Sequence, residues 1–195
     1  MKIVKPSNLL SEIPDPPKQL YCYGDTSLLN KCCISIVGTR SITSYGMKVL
    51  DMFIAPFLKE LEIVVVSGLA RGIDTAIPAC NREIWKEIQK TELLIAEHRE
   101  GTKLNKYMYI ERNRILAGVS KSVIVIEAGE NSGSLTTAQL ALDYNRDVYV
   151  VPGNITSNVS RGCNLLAKQG ANILTSIEDM KEVVGLVGGQ FSFYY

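Results

Sequence analysis

Residues Ser132, Gly133, Ser134 and Thr136 form a short stretch of small and hydroxyl-bearing side chains. The stretch follows an apolar run and precedes a segment with helical periodicity. Glycine lets a backbone approach a ligand closely, and the first turn of a helix offers N–H groups that no carbonyl within the helix accepts. These residue types in this order therefore predict a binding site for an anion such as a phosphate.

Three further loops repeat this arrangement after other apolar runs. They contain, in chain order, Gly38-Thr39-Arg40, Ser67-Gly68 with Arg71-Gly72, and Pro152-Gly153-Asn154. Plain turn formation is the alternative for any single loop, because turns after strands often need glycine. The patterns G-x-G-x-x-G and G-x-x-x-x-G-K-S/T of dinucleotide-binding proteins and ATPases are absent. The four loops together favour a nucleotide or nucleic-acid phosphate as ligand.

A group of cationic, aromatic and amide side chains follows the third apolar run. Its candidate binding residues are Lys106, Tyr109, Arg112, Asn113 and Arg114. Sites for single-stranded nucleic acid combine cations that follow the phosphates with aromatic rings on which bases stack. The alternative is a solvated helix start at Arg112 with a salt bridge to Glu111.

Short apolar runs alternate with amphipathic segments along most of the chain. The runs predict strands at Cys33–Val37, Ile63–Val66, Leu93–Ala96, Val123–Glu127, Val148–Val151 and Ile173–Leu174. The segments predict helices at Tyr45–Leu61 (with a break or kink at Pro56), Ala79–Lys90, Tyr109–Val119, Leu135–Asn145 and Asn164–Gln169. Most runs are apolar throughout, as is typical of parallel strands covered on both faces. The predicted fold is a three-layer, doubly wound α/β fold with a mostly parallel sheet, which binds ligands beyond the carboxyl ends of its strands.

The composition is typical of a globular protein with one main domain. The chain has 195 residues and a net charge of +1, so binding to nucleic acid requires a local basic patch. No apolar run approaches the ~20 residues that cross a bilayer, and the N-terminus has no signal-peptide core, so we expect a cytoplasmic protein without membrane contact. Five cysteines and one histidine argue against a disulfide framework and a zinc site. No nucleophile–base set is visible, and we expect no catalytic residue, no metal and no cofactor.

Taken together, these motifs resemble those of the DNA processing protein A family, also called DprA or Smf. The resemblance covers roughly residues 17–180. Its motifs, in family order, are Pro17–Gly24, Ile36–Arg40 with Tyr45-Gly46, Val66–Asp74, Ile95–Glu97 with Arg112–Ile115, Ser132–Ala138, and Val151–Asn154 with Gly162 and Asn164.

The resemblance implies a Rossmann-like domain over residues 21–182 that binds single-stranded DNA without catalysis. Residues 1–20 are expected to form a proline-rich, loosely structured lead-in, and residues 183–195 a glycine- and aromatic-rich tail. Family members protect incoming DNA in natural transformation and help to load the RecA recombinase, often as homodimers. Single-stranded DNA, RecA and a second copy of the chain are therefore the implied partners.

The resemblance also implies roles for single residues. In the family the arginine of the Gly-Thr-Arg loop contacts DNA, which points to Arg40, and Lys106 and Tyr109 match a lysine and an aromatic residue that line the site. After Asp74 the chain departs from the family, because a strand and a glycine-rich loop that form part of one pocket wall are absent. One alternative is a nucleotide-binding protein or phosphoribohydrolase-like enzyme of the wider superfamily; another is a protein-interaction role through the aromatic tail.

Overall fold

The computed structural model describes residues 1–6, 8–60, 63–68, 73, 93–99, 101–103 and 105–183. Within these residues the strands are β1 (Lys2–Val4), β2 (Leu20–Gly24), β3 (Cys33–Gly38), β4 (Val64–Val66), β5 (Leu93–Ala96), β6 (Ser122–Ile126), β7 (Asp147–Val150) and β8 (Asn172–Ile173). The helices are α1 (Ser44–Val49), α2 (Ala55–Glu60), α3 (Lys106–Val119), α4 (Gly133–Asp143), α5 (Arg161–Lys168) and α6 (Ile177–Val183). No helix among them is long and apolar enough to cross a membrane.

Five strands form one parallel sheet in the order β4-β3-β6-β7-β8. From β3 the chain moves outward to β4 on one side, and it then returns to β6 on the other side of β3. The strand order therefore reverses between β3 and β6, and a doubly wound sheet opens a crevice at the carboxyl ends of such a pair. The predicted α/β fold with a parallel sheet is confirmed.

Alternate residues of the central strand β6 build two cores on opposite faces of the sheet. Ile124 and Ile126 pack in a cluster with side chains from α1, α2 and α6. Val123 and Val125 pack in a second cluster with α3, α4 and α5. All four side chains are 0% exposed, so β6 is covered on both faces and the predicted three layers are present.

The predicted helix Tyr45–Leu61 is interrupted before Pro56, as its sequence suggested. Between α1 and α2 the chain forms a π-helical segment over Leu50–Ile54, in which the Ala55 N–H donates to the Leu50 carbonyl. Proline lacks the N–H that an α-helix needs, and its ring clashes with the carbonyl four residues earlier. The wider π turn accommodates this conflict without ending the helix.

The structure contains a second sheet, which the sequence did not predict. It has three strands in the order β1-β2-β5. The run Leu93–Ala96 was expected in the main sheet, but it pairs antiparallel with β2. Four apolar residues do not specify which sheet they join, and here the strand is only half-buried. Residues 1–20 are not a loose lead-in, because they contain β1 and bury Leu10 and Ile13 against α3.

Candidate functional site

Backbone hydrogen bonds join the loops that follow β3 and β6 to the start of α5. The Thr39 N–H donates to the Glu127 carbonyl over 2.6 Å, and the Ile73 N–H donates to the Thr39 carbonyl over 3.0 Å. The Gly162 N–H donates to the Ala128 carbonyl over 2.7 Å. Four segments that are distant in sequence, at residues 39, 73, 127–128 and 162, therefore share one ordered edge at the reversal of strand order.

Close packing explains two of the glycines at this edge. A Cβ atom on Gly38 would lie 2.0 Å from the Ile126 carbonyl oxygen, and one on Gly162 would lie 2.7 Å from the Ala128 carbonyl oxygen. Gly133 is different, because a Cβ atom there would meet nothing within 4 Å. Gly38 is thus needed by the fold itself, whereas the backbone at Gly133 is open to a ligand.

Glu127 holds the segment that carries Arg40 at both of its ends. Its backbone has φ 51° and its side chain is buried, with 3% of the residue exposed. The carboxylate accepts from the Thr43 N–H over 3.0 Å and also from the Thr43 hydroxyl. Since the Glu127 carbonyl binds Thr39, one residue fixes both ends of segment 39–43. Sequence reasoning did not assign this role, although an acidic residue directly after an all-apolar strand was its signal.

The loop after β7 is fixed by side chains that the sequence motifs had singled out. The Tyr45 hydroxyl donates to the Pro152 carbonyl over 2.5 Å. The Asn164 amide forms two bonds with Gly153, donating to its carbonyl over 3.0 Å and accepting from its N–H over 3.2 Å. Burial raises the pKa of Tyr45, so its hydroxyl keeps the proton that it donates. This loop therefore forms a firm wall beside the start of α5.

An open cavity of about 420 Å³ lies between these loops. It is lined by Thr39, Gly129, Glu130, Asn131, Ser132, Asn158, Val159 and Arg161. The Ser132 side chain caps α4 by accepting from the Ser134 N–H over 3.4 Å, and the two hydroxyls lie 2.7 Å apart. The structure thus brings the predicted residues Thr39 and Ser132 into one cavity. Sequence reasoning missed Asn158, Val159 and Arg161, which continue the predicted loop at residues 152–154.

The other predicted residues of these loops differ in exposure. Arg40, Gly133 and Thr136 are exposed, whereas Ser134 is 7% exposed and belongs to the packed side of α4. Ser67 and Gly68 are half-buried at the carboxyl end of β4. Arg71 and Gly72, the helix expected at Ala79–Lys90, the departure after Asp74 and residues 184–195 of the tail lie outside the described residues.

Arg112 and Arg114, which were predicted to serve one site, point to different sides of α3 and have different partners. An Arg112 Nη1 atom donates to the Gly68 carbonyl over 2.6 Å. Arg114 forms ion pairs with Glu97 at 2.6 Å and Asp15 at 3.3 Å. Residues two apart on a helix point about 200° from one another, because each residue turns by about 100°. Arg114 therefore binds the small sheet and the N-terminal segment.

The helix predicted at Tyr109–Val119 begins earlier in the structure, and Arg112, which the alternative placed at a helix start, lies inside it. The helix begins at Lys106, after Asn105 accepts from the N–H groups of the following turn. Tyr109 shares a helix face with Arg112 and is 50% exposed, while Asn113 is 8% exposed. The Lys106 side chain lies outside the described part of the structure.

Comparison with protein families matches the chain to the model for DNA recombination-mediator protein A. The match has two segments, residues 5–79 and 75–185, which overlap at residues 75–79, just after Asp74. The match therefore extends over most of the chain and includes every loop of the candidate site.

Individual proteins of this group are similar over most of the chain. The DNA processing protein DprA of Streptococcus pneumoniae is 35% identical over 194 residues, which cover 88% of this chain and 68% of that protein. The protein of the same name from Bacillus subtilis is 36% identical over 197 residues, which cover 89% of this chain and 66% of that protein. The chain thus spans about two thirds of the length of these relatives.

Solved structures agree with the sequence matches. The crystal structure of the Streptococcus pneumoniae protein superimposes with a TM-score of 0.81 at 34% identity, over 94% of this chain and 71% of that one. DNA processing protein A from Helicobacter pylori superimposes with a TM-score of 0.81 at 28% identity, over 93% of this chain and 94% of that one. The latter structure is described as showing a single-stranded DNA binding mode of that protein.

Proposed function

The chain belongs to the DNA recombination-mediator protein A family, and we propose that it binds single-stranded DNA at the carboxyl edge of its parallel sheet. The cavity between the loops after β3 and β6 is the observation that carries this proposal. It lies where the strand order reverses, which is the usual ligand position of a doubly wound sheet.

The chemistry of the cavity suits a phosphate group. Thr39 and Ser132 contribute hydroxyl groups to its lining, and Ser132 caps helix α4, whose first turn has N–H groups directed outward. Gly133 leaves room for a backbone phosphate to approach. Arg40 is exposed and directly follows Thr39, so its guanidinium supplies the positive charge that a phosphate requires.

Exposed aromatic residues supply surfaces for the bases. Tyr107 and Tyr109, in the first turn of α3, are 74% and 50% exposed. Tyr109 shares its helix face with Arg112, which contacts the carboxyl end of β4 through Gly68. A phenol ring accepts any base by stacking, so this arrangement favours binding with little sequence preference.

The proposal extends to the biological setting. Acting on DNA taken up during natural transformation, the protein would work in the cytoplasm, associate as a homodimer and deliver strands to the RecA recombinase. We propose binding without catalysis, since phosphate contacts and base stacking need no reacting group. These assignments rest on the family resemblance.

Fluorescence anisotropy with a labelled oligo-dT tests the proposal directly. The wild-type protein is expected to bind, and log K is expected to fall linearly with log salt concentration because phosphate binding releases counterions. Arg40→Ala is expected to weaken binding at least about fivefold and to reduce the magnitude of the salt slope by about 0.7 for each lost phosphate contact.

Lys168→Ala is the matched control, because Lys168 is exposed at the end of α5 that precedes β8, away from the carboxyl edge. It should bind like the wild type. Absence of binding at low salt, or equal binding by the Arg40 and Lys168 variants, contradicts the proposal. Release of free base from nucleoside monophosphates would favour the phosphoribohydrolase-like alternative instead.

A further inference from the structure

We infer that Arg161 is a second phosphate-binding cation of this site, acting with Arg40 on the same DNA strand. The inference rests on the proposed function. Among the residues that the structure describes, Arg161 is the one arginine that lines the cavity, and the inference assigns a role to it. Arg161 stands on α5, so it approaches the cavity from a different loop than Arg40 does.

Arg161 is available for a ligand. It is exposed, and it forms no ion pair within the part of the chain that the structure describes. Arg114 and Arg146 contrast with it, because their side chains are 13% and 10% exposed and each is paired with a carboxylate. Those two arginines hold the N-terminal segment in place, whereas Arg161 serves no such contact.

The position of Arg161 is unfavourable for the helix that carries it. Arg161 is the first residue of α5, where the helix dipole is positive and a cation is repelled. Burial raises the pKa of the neighbouring Cys163 thiol to about 11, so at neutral pH it offers no negative charge to offset the guanidinium. Neither the position on the helix nor Cys163 favours a cation here, whereas a polyanionic ligand in the cavity does.

The backbone beneath Arg161 is held firmly against the sheet. The Gly162 N–H donates to the Ala128 carbonyl over 2.7 Å, and no Cβ atom fits at Gly162. The Asn164 amide is bonded twice to Gly153. A ligand that meets Arg161 therefore orders one side chain and no loop, which lowers the entropic cost of binding.

The cavity also contains an acidic residue that makes a second cation useful. Glu130 is exposed and lines the same cavity, so its carboxylate repels a phosphate there. Arg161 lines that cavity too and offsets this charge. The resulting path for the strand runs from the Arg40 loop over the cavity to the start of α5.

The test measures oligo-dT binding and thermal unfolding for Arg161→Ala, Arg161→Lys, Arg40→Ala and Lys168→Ala. We expect Arg161→Ala to weaken binding at least about fivefold and to reduce the magnitude of the salt slope by about 0.7. Its melting temperature should equal or exceed that of the wild type, because a cation leaves the positive end of a helix. Arg161→Lys should restore most of the salt slope, and Lys168→Ala should change neither binding nor slope.

The outcomes separate this inference from the function on which it rests. If Arg40→Ala loses affinity while Arg161→Ala binds like Lys168→Ala, the role of Arg161 is refuted and DNA binding stands. If Arg161→Ala weakens binding only together with a lower melting temperature, and Arg161→Lys does not restore the slope, Arg161 is structural. If the wild type does not bind the oligonucleotide at all, both proposals are refuted.

Discussion

Removal of the Glu127 carboxylate should destabilise the whole carboxyl edge of the sheet. The group accepts two hydrogen bonds from Thr43, one from its N–H over 3.0 Å and one from its hydroxyl. A hydrogen bond to a charged group contributes about 1.5–3 kcal/mol. Thr43 is half-buried, so water replaces part of this loss, and the lower end of the range applies. For Glu127→Ala we therefore expect the free energy of unfolding to fall by about 3 kcal/mol.

Glu127→Gln separates the shape of the side chain from its charge. The amide oxygen still accepts one of the two bonds, so the expected loss is about 1–2 kcal/mol. Urea unfolding followed by circular dichroism measures both variants. Glu130→Ala is the control, since Glu130 is exposed and three residues away, and its effect should stay within about 0.5 kcal/mol. Equal stabilities of the Glu127→Ala and Glu130→Ala variants would refute the view that Glu127 holds segment 39–43.

Four further predictions concern one arginine, two glycines and one cysteine. Arg114→Ala should lower the free energy of unfolding by about 2 kcal/mol, because it breaks two partly buried ion pairs. In anisotropy titrations the same variant should leave the salt slope of DNA binding unchanged. Gly38→Ala should lower that free energy by about 3 kcal/mol in urea unfolding, since its Cβ would overlap a strand carbonyl. Gly133→Ala should raise the free energy of unfolding by about 0.5–1 kcal/mol, because the new Cβ atom meets open space and alanine favours a helix. The same variant should bind DNA more weakly. A lower free energy of unfolding or an unchanged affinity contradicts this prediction. Burial raises the pKa of Cys163 to about 11, so the thiol stays protonated at pH 8, and peptide mapping after iodoacetamide treatment should find exposed Cys32 modified and Cys163 intact.

Local patterns predicted most of the parallel sheet. Apolar runs such as Cys33–Val37 lie within a residue of the observed strands, because a strand covered on both faces is apolar at nearly every position. The same logic failed for Leu93–Ala96, which is apolar but belongs to the small antiparallel sheet. Residues 1–20 were misjudged for a related reason. Their prolines suggested a loose segment, and the burial of Leu10 depends on a surface of α3 that is remote in sequence.

The candidate site, too, was predicted only in part from the sequence. The loops with Thr39 and Ser132 were predicted from glycine and hydroxyl residues after strands, and the structure places both residues on one cavity. The contacts of the arginines could not be predicted in this way. Arg112 and Arg114 looked equivalent, and Arg161 was not among the expected binding residues. Composition shows that a cation is present but not where its side chain points.

The sequence by itself determined the strands, the loops that follow them and the family, because each depends on residues that are close together in the chain. Only the tertiary structure decided which cations remain available to a ligand. Arg114 is paired with Glu97 and Asp15, while Arg161 faces the open cavity without an ion-pair partner in the described part of the chain. The physical reason is that ion pairing depends on distance in space and on the phase of a helix, and neither is encoded in the local pattern around an arginine.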